Sequence, residues 1–237
     1  MRSLDVAQVT AAVQKMVVEA NCVLGQDMVG ALARAQAEEQ SPLGRRVIGH
    51  LRENAQIAAA ESLPICQDTG ISVFFVELGQ DLHLTGGLLG DAIQEGVRRG
   101  YAEGYLRKSI VKNPFDRVNT GDNTPAVIHY DIVEGDGLKI TFTAKGGGSE
   151  NMSAVKMHTP ADGTEGMMNF IVNHVKRSGA NPCPPIIAGV GIGGDFEKSA
   201  ILAKKALLRS VGEANPDPAT AALERELLGR INATGLG

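Results

Sequence analysis

Ile71-Ser72-Val73-Phe74-Phe75-Val76-Glu77-Leu78 is a β-branched and aromatic run, and it predicts a buried strand on which the rest of the chain can be arranged. Upstream the periodicity is helical. Val6, Val9, Val13, Met16, Val17 and Ala20 recur on one face, Asp27 can cap a second helix through about Glu39, and Ser41-Pro42 opens a third running to about Ala60. Downstream, a short strand near Leu82–Leu84 and the Gly86-Gly87 turn lead to a helix over about 89–104. Residues 113–125 have turn composition throughout, and a loop of that length in a compact domain is often functional. Two further runs, Ala126–Val133 and Leu138–Ala144, flank Glu134-Gly135-Asp136-Gly137 and predict a hairpin. Ile140 and Phe142 alternate with Thr141 and Thr143, which gives the second strand one polar face. Helices are expected at about 163–178, 195–210 and 218–230, with a strand at 185–190. The fold class is α+β: a mixed, partly antiparallel sheet with covering helices and an N-terminal helical segment, read as a single domain over 1–237.

Composition narrows the function. A formal net charge of −4 argues against a nucleic-acid surface, which needs a basic stripe. The local excess of Arg98, Arg99, Arg107, Lys108, Lys112 and Arg117 suits a small anion better than a polymer. Three cysteines without close spacing make no disulfide framework, so a reducing, cytoplasmic setting is expected. No secretory leader is visible, and no apolar run approaches the ~18 residues a membrane span needs.

Chemistry concentrates at two turns. Pro64-Ile65-Cys66-Gln67-Asp68-Thr69-Gly70 and Pro182-Cys183-Pro184-Pro185 place cysteines beside prolines in polar surroundings. Proline limits the conformations of a neighbouring thiolate, and a Cys-Pro pair occurs where thiolates hold iron–sulfur clusters. Cys66 and Cys183 are therefore candidate cluster ligands, against the plainer reading of two isolated thiols. Cys22, on the tail of the first apolar stripe, lacks that context. Gly146-Gly147-Gly148 could offer backbone amides to an anion or simply turn the chain. Gly189-Val190-Gly191-Ile192-Gly193-Gly194 fits G-x-G-x-x-G but lacks the second strand and acidic residue of a dinucleotide site. Close packing of a helix is the better use of those glycines. Arg107 could hold a carboxylate bidentately.

Taken in order, Pro64–Gly70, Leu106–Ser109, Asn119–Pro125, Lys145–Ser153, Asn181–Pro185 and Gly189–Gly194 resemble the catalytic alpha region of class I fumarase and L(+)-tartrate dehydratase. The resemblance covers essentially the whole chain. It implies an oxygen-sensitive hydro-lyase acting on a small dicarboxylic 2-hydroxy acid with a four-iron, four-sulfur (4Fe-4S) cluster. Cys66 and Cys183 would be metal ligands, with a third ligand beyond Gly237. Gln67, Asp68 and Arg107 would be catalytic and substrate-binding, and the Gly146, Gly147 and Gly148 backbone would approach the substrate. A beta-type component or C-terminal domain would complete the site, in a dimer of alpha-beta units. The competing expectations are a non-catalytic dicarboxylate- or phosphate-binding domain using the glycine loops, and a nucleotide-dependent oxidoreductase using Gly189–Gly194.

Overall fold

The computed structural model describes residues 2–236, and the chain divides into two compact units, Met1–Gly147 and Gly148–Gly237. The first unit is layered. Strand β1 (Ser3–Asp5) leads into α1 (Val6–Cys22), α2 (Gln26–Glu38) and α3 (Pro42–Glu61). Then come β2 (Ile71–Gly79), β3 (His83–Thr85), α4 (Leu89–Glu103), β4 (Val127–Val133) and β5 (Leu138–Lys145). Local chemistry explains the helix starts. The Asp5 carboxylate accepts from Ala7 N at 2.8 Å, and the Ser41 hydroxyl accepts from Gly44 N at 3.3 Å with Pro42 in the first turn. Asp27 is not the cap of α2; Gly25 holds that position and Asp27 lies in the first turn, where a negative charge suits the helix dipole.

The expected hairpin does not form. β4 and β5 lie in one sheet, but β2 stands between them, parallel to β4 and antiparallel to β5. The reason lies in β2 itself. Phe74 and Val76 are almost wholly buried and β2 is apolar on both faces, so it is the strand least able to leave a hydrogen-bonding edge open to water. The link Glu134–Gly137 instead passes over the end of β2. Gly79 N donates to Gly137 O at 2.8 Å, Gln80 N to Val133 O at 2.9 Å and Asp81 N to Gly135 O at 3.0 Å. Four residues suffice, because two strand spacings amount to only about 10 Å. A separate small sheet pairs β1 with β3 in parallel, Leu4 opposite Leu84.

One face of the larger sheet is covered by α1 and α4. Val9, Val13, Val17, Ile93, Val97 and Tyr101 pack with Phe74 and Val76, while Ile128, Ile140 and Phe142 close the periphery. On the opposite face Phe75 stacks on His129 at 4.9 Å, in register with Thr141, as the alternation in β5 requires. The two helices approach unusually closely. A Cβ at Gly96 would stand 2.6 Å from Val13 Cβ and 2.8 Å from Thr10 O, and one at Gly100 would strike Val17 Cγ2 and Gln14 O. Thr10 Oγ1 uses the same seam to donate to Ala92 O at 3.0 Å.

The second unit holds a helical turn (α5, Gly147–Glu150, which begins at the last residue of the first unit), a 3-10 turn at Pro160–Asp162, α6 (Gly163–Ser178), α7 (Phe196–Ala206) and α8 (Pro218–Asn232). The strand expected at 185–190 is absent: Pro184 and Pro185 lack amide donors, and the segment lies on a helix instead of in a ladder. A Cβ at Gly189 would strike Ala203 O, and one at Gly191 would strike Ser199 O. Gly189 and Gly191 therefore face the backbone of α7, the close packing of a helix anticipated for the run, whereas a Cβ at Gly193 would meet nothing within 4 Å.

Two substitutions test this packing. Gly100→Ala should lower unfolding free energy by about 1–3 kcal/mol through overpacking, read from denaturant midpoints. Gly191→Ala should cost at least as much, because the obstructing atoms belong to backbone; a melting temperature within a degree of the parent would contradict the close approach.

Candidate functional site

The Pro64–Gly70 turn is pinned before and after its exposed apex. Ahead of it, Ile65 N donates to Asn21 O at 2.9 Å and Ile65 O accepts from Asn54 Nδ2 at 2.8 Å, tying the turn to α1 and α3. Behind it, Thr69 and Gly70 are buried where β2 begins. Cys66 and Gln67 are exposed between these anchors. Cys66 Sγ accepts the Asp68 amide at 3.4 Å, and its thiol points at Gln67 Oε1, 3.3 Å away. Both oxygens of Asp68 are held by backbone: Oδ1 accepts from Gly70 N at 3.1 Å and Oδ2 from Gly147 N at 2.8 Å. The glycine run after β5 thus already spends one amide on an anion of its own chain.

Gly70 controls how tightly this assembly closes. Its φ is +69, and a Cβ there would lie 2.5 Å from Lys145 O, so no L-residue fits without moving β5. Its carbonyl receives Asn123 Nδ2 at 3.2 Å and lies 3.3 Å from the Tyr101 hydroxyl, which is 2.7 Å from Thr69 O. Burial first, and the negative charge of Asp68 after it, push the Tyr101 phenol above its ordinary value of 10.0, keeping it a neutral donor.

Arg107 enters from the end of α4. Leu106 is buried beneath it and donates its amide to Tyr101 O at 3.1 Å, while Arg107 O accepts from Thr69 Oγ1 at 3.0 Å. The backbone is fixed, yet Arg107 is an exposed residue. The long loop that follows is irregular, as expected, but far from slack. Lys112 N donates to Val118 O at 2.8 Å, Thr120 N to Ile110 O at 2.9 Å, and Asn119 Nδ2 to Lys108 O at 2.9 Å. Asp122 closes it, accepting from Thr124 N at 3.0 Å, Thr124 Oγ1 at 2.8 Å and Arg98 Nε at 3.0 Å. Burial tends to raise that carboxyl, but the Thr124 amide and hydroxyl, Arg98 and Thr120 outweigh it and hold it down at about 2.

Cys183 belongs to the second unit. It is exposed, and its φ of 62 places a non-glycine residue in the left-handed region, a conformation that often marks functional positions. Its amide donates to Ala180 O at 3.1 Å. The turn sits beside the start of the unit: Asn181 Nδ2 is 3.7 Å from Met152 Sδ, and Asn181 O lies 3.2 Å from where a Gly148 Cβ would be. Cys22, by contrast, is buried at the end of α1, and burial pushes its thiol up. It is the inert kind of cysteine. No group of three or more His, Cys, Asp or Glu side chains among the described residues is placed to hold a metal ion, and Cys66 and Cys183 are each an accessible thiol within its own unit. No described helix is long and apolar enough to cross a membrane.

The family profile described as "Fumarate hydratase (Fumerase)" matches residues 10–237. The chain belongs to the fumarate hydratase family. Members of this hydro-lyase family that it is similar to include a Methanocaldococcus jannaschii protein named "Putative L(+)-tartrate dehydratase subunit alpha", 39% identical over 225 residues, which are 92% of this chain and 79% of the relative. The L(+)-tartrate dehydratase subunit alpha of Escherichia coli strain K12 is 34% identical over 215 residues, 89% of this chain and 70% of that one. Within this fumarate hydratase family chain, the turn residues Cys66, Gln67 and Asp68 and the Arg107 backbone are brought together in the first unit, and Cys183 is presented separately in the second. Tyr101, Thr69 and Asn123, which hold the first group, carried only weak signals: an aromatic on a helix stripe, a turn threonine, and one asparagine in a loop full of them.

The Asp122 carboxyl sets an acid limit. Its folded pKa lies below the unfolded 3.8, so its contribution is complete above about pH 4 and lost as pH falls through about 2. Asp122→Asn should be less stable than the parent near pH 6 by on the order of 1 kcal/mol, with the two melting curves converging toward pH 2.

Proposed function

We propose that residues 1–237 act as the alpha-type catalytic domain of an iron–sulfur hydro-lyase that adds or removes water across a dicarboxylic 2-hydroxy acid of the fumarate/malate or tartrate class. The observation that carries this reading is the shared anchoring of an exposed thiol, an oriented carboxylate and an exposed arginine, in a chain whose relatives are named tartrate dehydratase alpha subunits. Under this reading Cys66 and Cys183 are ligands of a 4Fe-4S cluster, with the remaining ligand outside the described residues. The chemistry of the donors supports it: both sulfurs are accessible, both lie on turns limited by proline, and the Asp68 N–H to Cys66 Sγ holds the side chain in place. When bound, such a cluster with one open iron supplies a Lewis acid for the departing hydroxyl.

The chain's own residues supply binding and orientation. Arg107 offers a planar pair of donors to one substrate carboxylate, and its fixed backbone limits the arc through which that fork can swing. Asp68 is the hydrogen-bond acceptor for the substrate hydroxyl. Because Gly70 N and Gly147 N hold its two oxygens, it faces the substrate without reorienting. Gln67 has its amide nitrogen free to donate to a second carboxylate oxygen while its Oε1 faces Cys66. Of the three glycines, Gly147 acts through Asp68, whereas Gly146 and Gly148 would let the substrate approach main chain. Dehydration removes one proton from the carbon α to a carboxylate and one hydroxide from its neighbour. The base for that proton is assigned to a beta-type component, with which the chain would form a dimer of alpha-beta units in the cytoplasm.

The test is anaerobic analysis of the chain co-produced with its beta-type component. Iron and sulfide should be present, with turnover of L-malate or L(+)-tartrate, and Cys66→Ser and Cys183→Ser should each lose the cluster chromophore and at least 100-fold in rate. Retention of iron by both variants would refute the ligand assignment. Dicarboxylate binding indifferent to both substitutions, without turnover, would instead support a non-catalytic binding domain.

A further inference from the structure

Among the residues of the 113–125 loop, most of them exposed, Asn123 is wholly buried. It also adopts φ 61, a left-handed conformation that asparagine tolerates better than most residues. Its carboxamide is spent entirely on backbone. Oδ1 accepts from Ser109 N at 2.6 Å, and Nδ2 donates to Gly70 O at 3.2 Å. Gly70 is two residues beyond Asp68, and Ser109 two residues beyond Arg107. One planar side chain therefore spans the two segments from which the carboxylate and the arginine project.

A second tie joins the same segments. Thr69 Oγ1 fixes the carbonyl of Arg107 at 3.0 Å, so residues 107–109 are held at both ends, a carbonyl by Thr69 and an amide by Asn123. A single attachment would set a distance and leave rotation free; two attachments set both. Position 123 needs an acceptor on one side and a donor on the other, at one length. Aspartate would turn an oxygen toward Gly70 O, leucine would leave a buried amide without its partner, and glutamine is one carbon too long. The surrounding turn is itself braced, since Asp122 holds Thr124 and Arg98. That bracing makes Asn123 a rigid strut.

We propose that Asn123 is a positioning residue: it sets the Arg107 arm against the Asp68 turn and thereby fixes affinity for the substrate carboxylate. The proposal rests on the role assigned above to Arg107 and adds a residue with no substrate contact of its own.

The experiment uses the chain with its beta-type component under anaerobic conditions, with L(+)-tartrate and L-malate as probes. Asn123→Ala should raise KM on the order of 10-fold, the loss expected for a misaligned charge-assisted hydrogen bond. Iron content should be unchanged, and the Ser109 amide, protected in the parent, should exchange rapidly. Asn123→Asp keeps the acceptor for Ser109 N and removes only the donor to Gly70, so it covers the case in which the alanine variant fails to fold; it should retain Ser109 protection and still raise KM. In the background of Arg107→Ala, Asn123→Ala should add little, since the group it positions is gone. Unchanged KM in both Asn123 variants, alongside a clear loss in Arg107→Ala, would overturn this proposal alone. Unchanged KM in Arg107→Ala would overturn the site reading and this proposal with it. A fall in melting temperature and iron content at constant KM would reduce Asn123 to a structural residue.

Discussion

The carbonyl of Gly70 is the point on which the first unit's site depends. It terminates the cysteine turn, begins the central strand, and faces two buried side-chain groups, the Tyr101 hydroxyl from α4 and the Asn123 amide from the long loop. Its positive φ and the closeness of Lys145 O leave room for no side chain. A backbone atom serves this purpose better than a side chain would, because it cannot change rotamer. The result is that helix, strand and loop meet at one peptide, and the exposed thiol and carboxylate project from a rigid base.

That base exists because β2 is held from both edges and α4 from beneath. The seam of Gly96 and Gly100 against Val13 and Val17 brings α4 close enough to α1 for Tyr101 to be fully buried and still reach the start of β2. Small residues on one helix opposite branched residues on the other convert van der Waals contact into placement of a hydrogen-bond donor about one turn along the helix. The exposed end of Arg107 follows from the same packing, since Leu106 is driven inward and its neighbour must point out.

Helix starts at Val6 and Pro42, the buried run at Ile71–Leu78 and the polar face of β5 were legible because each rests on local pattern: caps within three residues, or periods of 3.6 and 2. The cysteine turns and Arg107 were legible as part of an ordered set of motifs, and the family that set resembles is the one the chain belongs to. Asn123 was not. Nothing in Asn119-Thr120-Gly121-Asp122-Asn123 separates the buried asparagine from the exposed one, because the difference lies in partners 14 and 53 residues away. The glycines at 189–194 mimicked a nucleotide motif, since close approach of a helix and close approach of a phosphate both require the same absent Cβ.

By itself the sequence determined most of the helices and the central strand, which thiols stand beside prolines on polar turns, and the family to which the chain belongs. The tertiary structure alone decided that β2 separates β4 from β5. A turn signal reports only that the chain reverses, whereas which strand fills the gap is set by competition among all strands for paired edges. It decided likewise that one loop asparagine becomes the strut between Asp68 and Arg107, because a hydrogen bond between distant residues is a property of the packed backbone and leaves no periodic trace in the chain.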